Sequence, residues 1–300
     1  MAGILLVGAN GQVGWEIARQ ARIEGLPCHA LDRGRLDITA ADAVFGTVAS
    51  LTPFIVINAA AYTNVDKAET DADAAFAVNR DGAAHLARAC AGADIPLIHI
   101  STDYVFDGTK TTPYREDDPV SPLGIYGESK LAGEAAVRER CPNHVILRTA
   151  WVYGVHGQNF VKTMLRLGRE RERIKVVDDQ FGNPTFAGDL ARAILALARR
   201  VQSGPWPAQG FGTFHLAGEG MTNWCGFARA IFEETRSRLE RVPEIEAITT
   251  AEYSTPAKRP PYSVLDCSRF ARIHSLALRP WKDGLAEMLE TTLGLLPTKE

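Results

Sequence analysis

The sequence holds no Cys-x-x-Cys pair, and its five cysteines (Cys28, Cys90, Cys141, Cys225 and Cys267) lie far apart. An odd, scattered set argues against a disulfide framework or a thiolate metal site. It fits reduced thiols in a reducing compartment, packed as small hydrophobes. Neither sign of charge is in surplus: 33 basic residues stand against 36 acidic ones, a net charge of −3. Without a basic excess there is no general attraction to nucleic acid or to an anionic membrane surface. No apolar run approaches the ~18–20 residues that span a bilayer. The stretch from Met1 to Gly8 has no basic segment and meets a glycine too early for a signal peptide. These absences point to a cytoplasmic protein with neither nucleic-acid nor membrane partners. What remains is ordinary globular composition, 46% hydrophobic and 23% charged, over 300 residues. That length suits one large domain or two moderate ones.

The first half alternates short apolar runs with helical patterns. Strands are predicted at Ile4–Val7, Pro27–Leu31, Phe54–Asn58, Pro96–Ile100 and Val145–Arg148. Helices are predicted from Gly11–Gly14 onward, at Ala40–Ser50, at Asp73–Cys90 and at Glu128–Arg140. Such alternation builds right-handed βαβ units and a parallel sheet covered on both faces, an α/β doubly wound Rossmann fold. Residues 1–150 would form this dinucleotide-binding domain, and 151–300 mainly a smaller substrate-binding domain. The second half is less regular, with helical patterns at Asn159–Arg169, Gly188–Arg199, Asn223–Leu239 and Trp281–Leu293. Ile174–Val177 reads as a strand, Ser203–Gly212 as a loop and Gly212–Leu216 as a strand. Residues from about 188 to 218 are expected to return to the main sheet.

Gly8-Ala-Asn-Gly11-Gln-Val-Gly14 follows the first predicted strand directly and opens a helix. In such a loop the first glycine permits the tight turn and the second lets a diphosphate approach the backbone. The third lets the helix pack on the strand. The helix N-terminus adds unpaired N–H groups and partial positive charge. Gly8, Asn10, Gly11, Gln12 and Val13 are therefore candidate contacts to a dinucleotide. Asp32 closes the second strand, placed to accept from the adenosine ribose hydroxyls, which favours NADH. Arg33 or Arg35 could instead pair with a 2′-phosphate, which favours NADPH. Both cofactors stay open. Asp37 and Ile38 fit a segment over the adenine, with a helix cap as the other reading of Asp37. Ala60, Ala61, Tyr62 and Thr63 follow the third strand, where small residues let the backbone approach the nicotinamide ribose.

Tyr126-Gly-Glu-Ser-Lys130 places a phenol and an ammonium on one side of a helix. An unperturbed phenol, with a pKa of about 10, is a sluggish acid–base group near neutrality. A nearby cation lowers that value. Ser101 and Thr102 end the fourth strand, where ligands bind in this architecture. They point to opposite faces, so one of them offers a hydroxyl to a carbonyl oxygen. The spacing does not say which.

At these residues the sequence resembles the extended short-chain dehydrogenase/reductase superfamily and, within it, the dTDP-4-dehydrorhamnose reductase family. The resemblance covers nearly the whole chain. Its carriers in the first half are Gly11-Gln-Val-Gly-Trp-Glu16, Asn58–Glu69, Ser101-Thr-Asp-Tyr-Val-Phe-Asp-Gly108 and Tyr126–Glu134. Arg148–Tyr153, Asn159-Phe160, Asp179–Thr185, Arg259-Pro260 and Ser263 complete the set. It implies that Tyr126 is the proton donor, Lys130 its partner and ribose anchor, and Thr102 the hydroxyl that orients a ketone. Trp151 would flank a sugar, with Asp103, Val105 and Phe106 beside it. Asn159, Gln180, Thr185 and Arg259 would lie in the nucleotide-sugar region. The implied reaction is hydride transfer from NADPH or NADH to C4 of a nucleotide-linked 4-keto-6-deoxysugar, by a monomer or homodimer. A nucleotide-sugar epimerase or dehydratase is the rival enzyme. A non-catalytic module resembling the regulatory subunit of methionine adenosyltransferase is the rival outside enzymes. Some relatives share Mg²⁺ between subunits through glutamates. Glu16 matches the first of those positions, but the others fall at Asp189 and at Thr291, beside Glu290. Two of three differ, so no residue is assigned to a metal.

Overall fold

The computed structural model describes residues 2–204, 206–239 and 241–294. Pro205 of the predicted loop and residues 295–300 at the end of the predicted second domain lie outside the described residues. The first half runs β1 (Ile4–Val7), α1 (Gln12–Ile23), β2 (Cys28–Leu31), α2 (Ala41–Leu51), β3 (Ile55–Asn58), α3 (Val65–Ala68) and α4 (Ala72–Phe76). It continues through α5 (Ala83–Gly92), β4 (Leu97–Thr102), α6 (Ile125–Arg140) and β5 (His144–Thr149). The second half holds β6 (Val152–Tyr153), α7 (Phe160–Glu170), β7 (Arg173–Val177), β8 (Phe181–Gly182), β9 (Thr185–Phe186) and α8 (Ala187–Ser203). After these come β10 (Gly212–His215), β11 (Thr222–Asn223), α9 (Trp224–Thr235), β12 (Glu244–Ile248), α10 (Ser268–His274) and α11 (Trp281–Thr292).

Six strands form one sheet in the order β10-β5-β4-β3-β1-β2, parallel throughout. The fold is thus a doubly wound α/β sheet. Strand β1 shows why it is buried on both faces: Ile4 and Leu6 enter one apolar cluster with Ile17 of α1 and Leu190 and Ile194 of α8. Leu5 and Val7 enter another with Leu86 of α5 and Val137 of α6. Side chains alternate across a strand, so a strand covered on both sides must be apolar at every position. Strand order reverses between β1 and β3, which opens a crevice at the carboxyl ends of the strands. Strand β10 pairs with β5. A third cluster, with Met164, Ile174, Phe227, Leu285 and Met288, joins α7, β7, α9 and α11. Among the described residues the second half also holds three two-stranded pairs, β11-β8, β12-β7 and β6-β9.

Three departures from the sequence pattern bear on function. Strand β4 runs two residues beyond Ile100, carrying Ser101 and Thr102 into the ladder opposite Arg148 and Thr149. Helix α6 starts at Ile125, not Glu128, which puts Tyr126 in its first turn. The helix predicted over Asp73–Cys90 is interrupted by a π-helical turn at Ala77–Gly82. There Asn79 accepts from the Tyr62 amide and donates to the Tyr62 carbonyl and the Ser129 hydroxyl. A π turn of this kind often marks a functional position. Periodicity predicts neither β12 nor α10, because β12 carries glutamates and is defined by its pairing with distant β7.

Candidate active site

Gly8 ends β1 at φ +79°, a left-handed conformation that glycine enters without steric penalty. A Cβ there would lie 2.4 Å from the Ala60 nitrogen, and one on Gly14 2.2 Å from the Gly8 oxygen. Both glycines therefore serve close approach, one to the loop after β3 and one between α1 and its own loop. Gly11 is different: a Cβ there meets nothing nearer than 3.4 Å. It is the N-cap of α1 and brings no side-chain cap. The first-turn N–H groups are thus open to an anion. Beside the loop lies a cavity of ≈250 Å³ whose walls include Arg33, Asp37, Ile38, Ala60, Ala61 and Tyr62. Asp32 accepts from Asn10 Nδ2 at 3.0 Å and from the Arg35 amide at 3.1 Å. Asp37 accepts the Thr39 amide and hydroxyl, which hold its carboxyl below the usual range, and Arg33 at 3.2 Å.

A second cavity, of ≈500 Å³, opens at the ends of β4 and β5 and contains Gln12, Val13, Thr63, Thr102, Asp103, Tyr126 and Lys130 in its walls. The two strand-end hydroxyls separate as pleating requires. Ser101 turns to Glu134 at 2.6 Å, while Thr102 lines the cavity and donates to Asp103 at 3.1 Å. Asp103 also accepts from Ser263 at 2.6 Å, and burial pushes its carboxyl up to about 6. Lys130 is buried and donates to the Ile100 carbonyl at 2.6 Å. Burial pushes its amine down to about 8, opposed by Glu134. The Tyr126 phenol is pushed up to about 12 by burial, and Asp103 adds to the rise while the Thr102 hydroxyl eases it. Burial outweighs the lysine here: the ammonium is turned to the Ile100 carbonyl, and the phenol is raised where the spacing predicts a lowering. Tyr126 keeps its proton at neutral pH, as a donor must.

A third cavity, of ≈610 Å³, has an apolar floor from Met164, Leu167, Ile174 and Val176 and a rim of Arg171, Arg173, Lys175 and Arg259. Trp224 lines both this cavity and the central one. Its indole stacks on Trp151 at 3.6 Å, nearly parallel, and its Nε1 donates to Gln180 at 3.2 Å. Trp151 holds φ +46°, a strained value for a bulky residue. A Cβ on Gly182 would lie 2.5 Å from its ring, so the indole fits only over glycine. Arg259 donates to Asp66 at 2.8 Å and to Thr255.

With this geometry in hand, known proteins offer close counterparts. A family model described as the RmlD substrate binding domain matches residues 1–293. The dTDP-4-dehydrorhamnose reductase of Sinorhizobium fredii is 43% identical over 286 residues, covering 95% of this chain and 96% of that protein. The crystal structure of a dTDP-4-dehydrorhamnose reductase from Clostridium acetobutylicum superposes with a TM-score of 0.90 at 40% identity, covering 97% of this chain and 99% of that one. One from Bacillus anthracis in complex with NADP superposes with a TM-score of 0.89 at 37% identity, covering 97% and 100%. The chain belongs to the dTDP-4-dehydrorhamnose reductase family.

The family implies a nicotinamide dinucleotide, and the residues present fit one. The left-handed turn at Gly8, the open side of Gly11 and the uncapped α1 N-terminus form a phosphate cradle. The three positions that match the magnesium site of some relatives do not offer it a free set of carboxylates. Glu16 is buried against Arg19 and Gln20. Asp189 accepts from Arg192 and Arg279, and Thr291 donates to the Glu287 carbonyl. Guanidinium groups thus neutralise the carboxylates that a cation would need. Among the described residues no group of three or more His, Cys, Asp or Glu side chains is placed to hold a metal.

Of the residues that the family resemblance put against the substrate, three are fully buried and a fourth, half-buried Asn159, is taken up in local hydrogen bonds. Val105 and Phe106 are fully buried in a core cluster, where Phe106 stacks on Tyr114 at 4.2 Å. Thr185 is fully buried, its hydroxyl donating to the Asn183 carbonyl and accepting from the Gly218 amide. Asn159 caps α7 through the Lys162 amide and donates to Gln12 and Gly154. Core packing, a buried hydroxyl bridge and a helix cap are the roles the structure gives these four. Conversely, the sequence assigned no role to Trp224, nor to Glu134, which entered only as the end of the Tyr126–Glu134 segment. The only local sign for Trp224 was Asn223, which caps α9 by accepting the Gly226 amide at 2.6 Å. Glu134 lies four residues beyond Lys130, a spacing that places it on the same helix face.

Proposed function

We propose that this chain reduces the C4 ketone of dTDP-4-dehydro-L-rhamnose to dTDP-L-rhamnose with NADPH or NADH. The observation that carries the reading is the meeting of Tyr126, Thr102 and Lys130 in one cavity, beside the uncapped α1 N-terminus. The cofactor, held through Gly8–Val13, Asp32 and the Ala60–Thr63 segment, supplies the hydride. Tyr126, protonated at neutral pH, gives its proton to the oxygen that becomes the C4 hydroxyl. Thr102, which accepts from the Tyr104 amide, turns its one proton from Asp103 to the same oxygen and orients the ketone. The Lys130 ammonium favours the negative charge that develops there. Hydride and proton together account for the two hydrogens added to the carbonyl. The tyrosinate regains its proton from solvent, with Lys130 as the buried group able to pass one.

The nucleotide moiety belongs in the third cavity on this reading, its diphosphate facing Arg259 and its base over the apolar floor. Trp151 and Gln180 stand between nucleotide and sugar. The division into a cofactor part, residues 1–150, and a mainly substrate-binding remainder is supported by where the cavities lie. The return of α8 and β10 to the sheet supports assigning residues near 188–218 to the first part. The active unit on this reading is a monomer or a homodimer. A cytoplasmic setting suits the substrate and the free cysteines.

The test is to follow loss of absorbance from NADPH and from NADH with dTDP-4-dehydrorhamnose and related ketosugars. One reduced cofactor consumed per ketosugar supports the reading. Conversion without net consumption would move the chain to the epimerases. No turnover with any ketosugar would move it to the binding modules.

A further inference from the structure

Glu134 is fully buried on α6, one helical turn beyond Lys130 and two beyond Tyr126. Its carboxylate accepts from Ser101 Oγ at 2.6 Å, Arg148 Nε at 2.8 Å, Arg148 Nη2 at 2.7 Å and Arg138 Nη1 at 3.0 Å. Ser101 and Arg148 face each other in the register of β4 and β5. The next residue of each strand, Thr102 or Thr149, lines the central cavity. Lys130 grips β4 one residue earlier, at the Ile100 carbonyl. Helix α6 is thus fastened to both strand ends directly behind the cavity, and Glu134 is the shared acceptor.

We infer that Glu134 is a positioning residue for the reduction, holding the cavity ends of β4 and β5 against α6 so that Thr102 and Tyr126 keep a common target. Its charge has a second effect. Burial depresses the Lys130 amine to about 8, and Glu134 acts against that fall. The other titratable groups facing Lys130 do not replace it. His99 on β4 is kept neutral by burial. Tyr126 on α6 retains its proton up to about 12. Arg148 on β5 adds positive charge and is bonded to Glu134 itself, and Asp103 is engaged by Thr102 and Ser263.

A purely structural ion pair would keep helix and strands together without touching the chemistry. The inference requires more, and it rests on the reductase reading. The variant Glu134→Gln keeps size and one acceptor oxygen but removes the charge. Its kcat should fall on the order of 10–100-fold, the scale at which small misplacements of reacting groups act. Cofactor Kd, read by fluorescence titration, should stay within about twofold, because no cofactor contact is removed. Losing the anion lowers the Lys130 pKa further. The ammonium is then lost earlier as pH rises, so the alkaline limb of kcat/KM moves to lower pH, by about half a unit or more.

Wild-type kcat and an unmoved limb, even with a lower Tm, would overturn the inference. If Glu134→Gln does not fold, Ser101→Ala removes only the β4 link and leaves the Arg148 pair. Its kcat should then fall several-fold with the limb in place, and unchanged kcat would overturn the inference equally. A wild-type protein inactive with every ketosugar overturns the reductase reading and this inference with it. An active wild type with an unaffected variant overturns this inference alone.

Discussion

The two larger cavities are built in opposite ways. The central one sits on the ends of β4 and β5, strands locked in a continuous parallel ladder. Three of its polar groups are buried and already paired: Lys130 with Ile100, Thr102 with Asp103, and Asp103 with Ser263. The neighbouring cavity is floored by aliphatic side chains of α7 and β7, and β7 pairs only with β12. Its rim cations Arg173 and Lys175 are largely exposed and meet Glu244 and Glu246 across that pair. Proton transfer needs groups fixed to a fraction of an ångström. Holding a nucleotide needs apolar area and charge, which long side chains supply without a fixed frame. On the proposed reading, rigidity is concentrated where a proton moves, and adaptability where affinity is made.

The sharpest way to break this comparison is to remove one atom from the rigid side. Tyr126→Phe deletes the phenolic oxygen and little else, so kcat should fall by about 10²–10⁴, the usual contribution of a positioned proton donor. Cofactor Kd and Tm should both stay close to wild type, as titration and thermal melting would show. A variant that keeps a tenth of its turnover, by the order of magnitude that general acids contribute, would show that the proton comes from elsewhere.

The junction between the cavities should respond in the other parameter. Trp224 touches both spaces and stacks on Trp151. Stacked aromatic contacts contribute about 0.5–1.5 kcal/mol beyond the area they bury. Trp224→Ala should therefore raise KM for the nucleotide sugar roughly three- to tenfold while kcat changes less. The KM for reduced cofactor should be unaffected. If kcat falls as far as KM rises, Trp224 belongs with the rigid chemistry and the contrast between the cavities fails.

The same contrast explains what could be read from the chain. The glycine loop was legible because its requirements are local: a left-handed turn at Gly8, open space at Gly11 and contact at Gly14 all follow from spacing. Tyr126 and Lys130 were legible as a helical pair, but the direction of the ammonium was not. It depends on Ile100, a backbone carbonyl of another element. Spacing alone did not divide Ser101 from Thr102, although the resemblance favoured Thr102; the physical reason appeared once β4 was seen to continue through both. Val105 and Phe106 lie beside a site residue in the chain, yet they face the core; adjacency in sequence does not say which way a side chain points. The third cavity was the least legible, since α7, β7, β12 and Trp224 converge from distant segments with no shared spacing. Its aliphatic floor carries no motif because apolar floors tolerate exchange; only Phe160, Gln180 and Arg259 in its walls belong to segments that the resemblance marked.

The small cavity beside the glycine loop should show the mildest response, because its discriminating groups are exposed. Asp32 is engaged on both oxygens, by Asn10 and by the Arg35 amide, and is fixed as an acceptor. Arg33 is the free-standing element: its side chain is 82% exposed and pairs with Asp37 at 3.2 Å. Exposed pairs of this kind contribute about 0.2–1 kcal/mol, so little opposes a swing of the guanidinium onto a 2′-phosphate. A charge-assisted bond there is stronger than the pair it replaces. The net advantage is of order 1 kcal/mol, or about fivefold in affinity. Arg33→Ala should accordingly raise KM for NADPH several-fold and leave KM for NADH unchanged, with the difference shrinking at high salt. If both constants stay put, Arg33 does not read the 2′-position. Discrimination would then fall to Asp32 and the backbone around it, and this cavity would join the rigid side of the comparison.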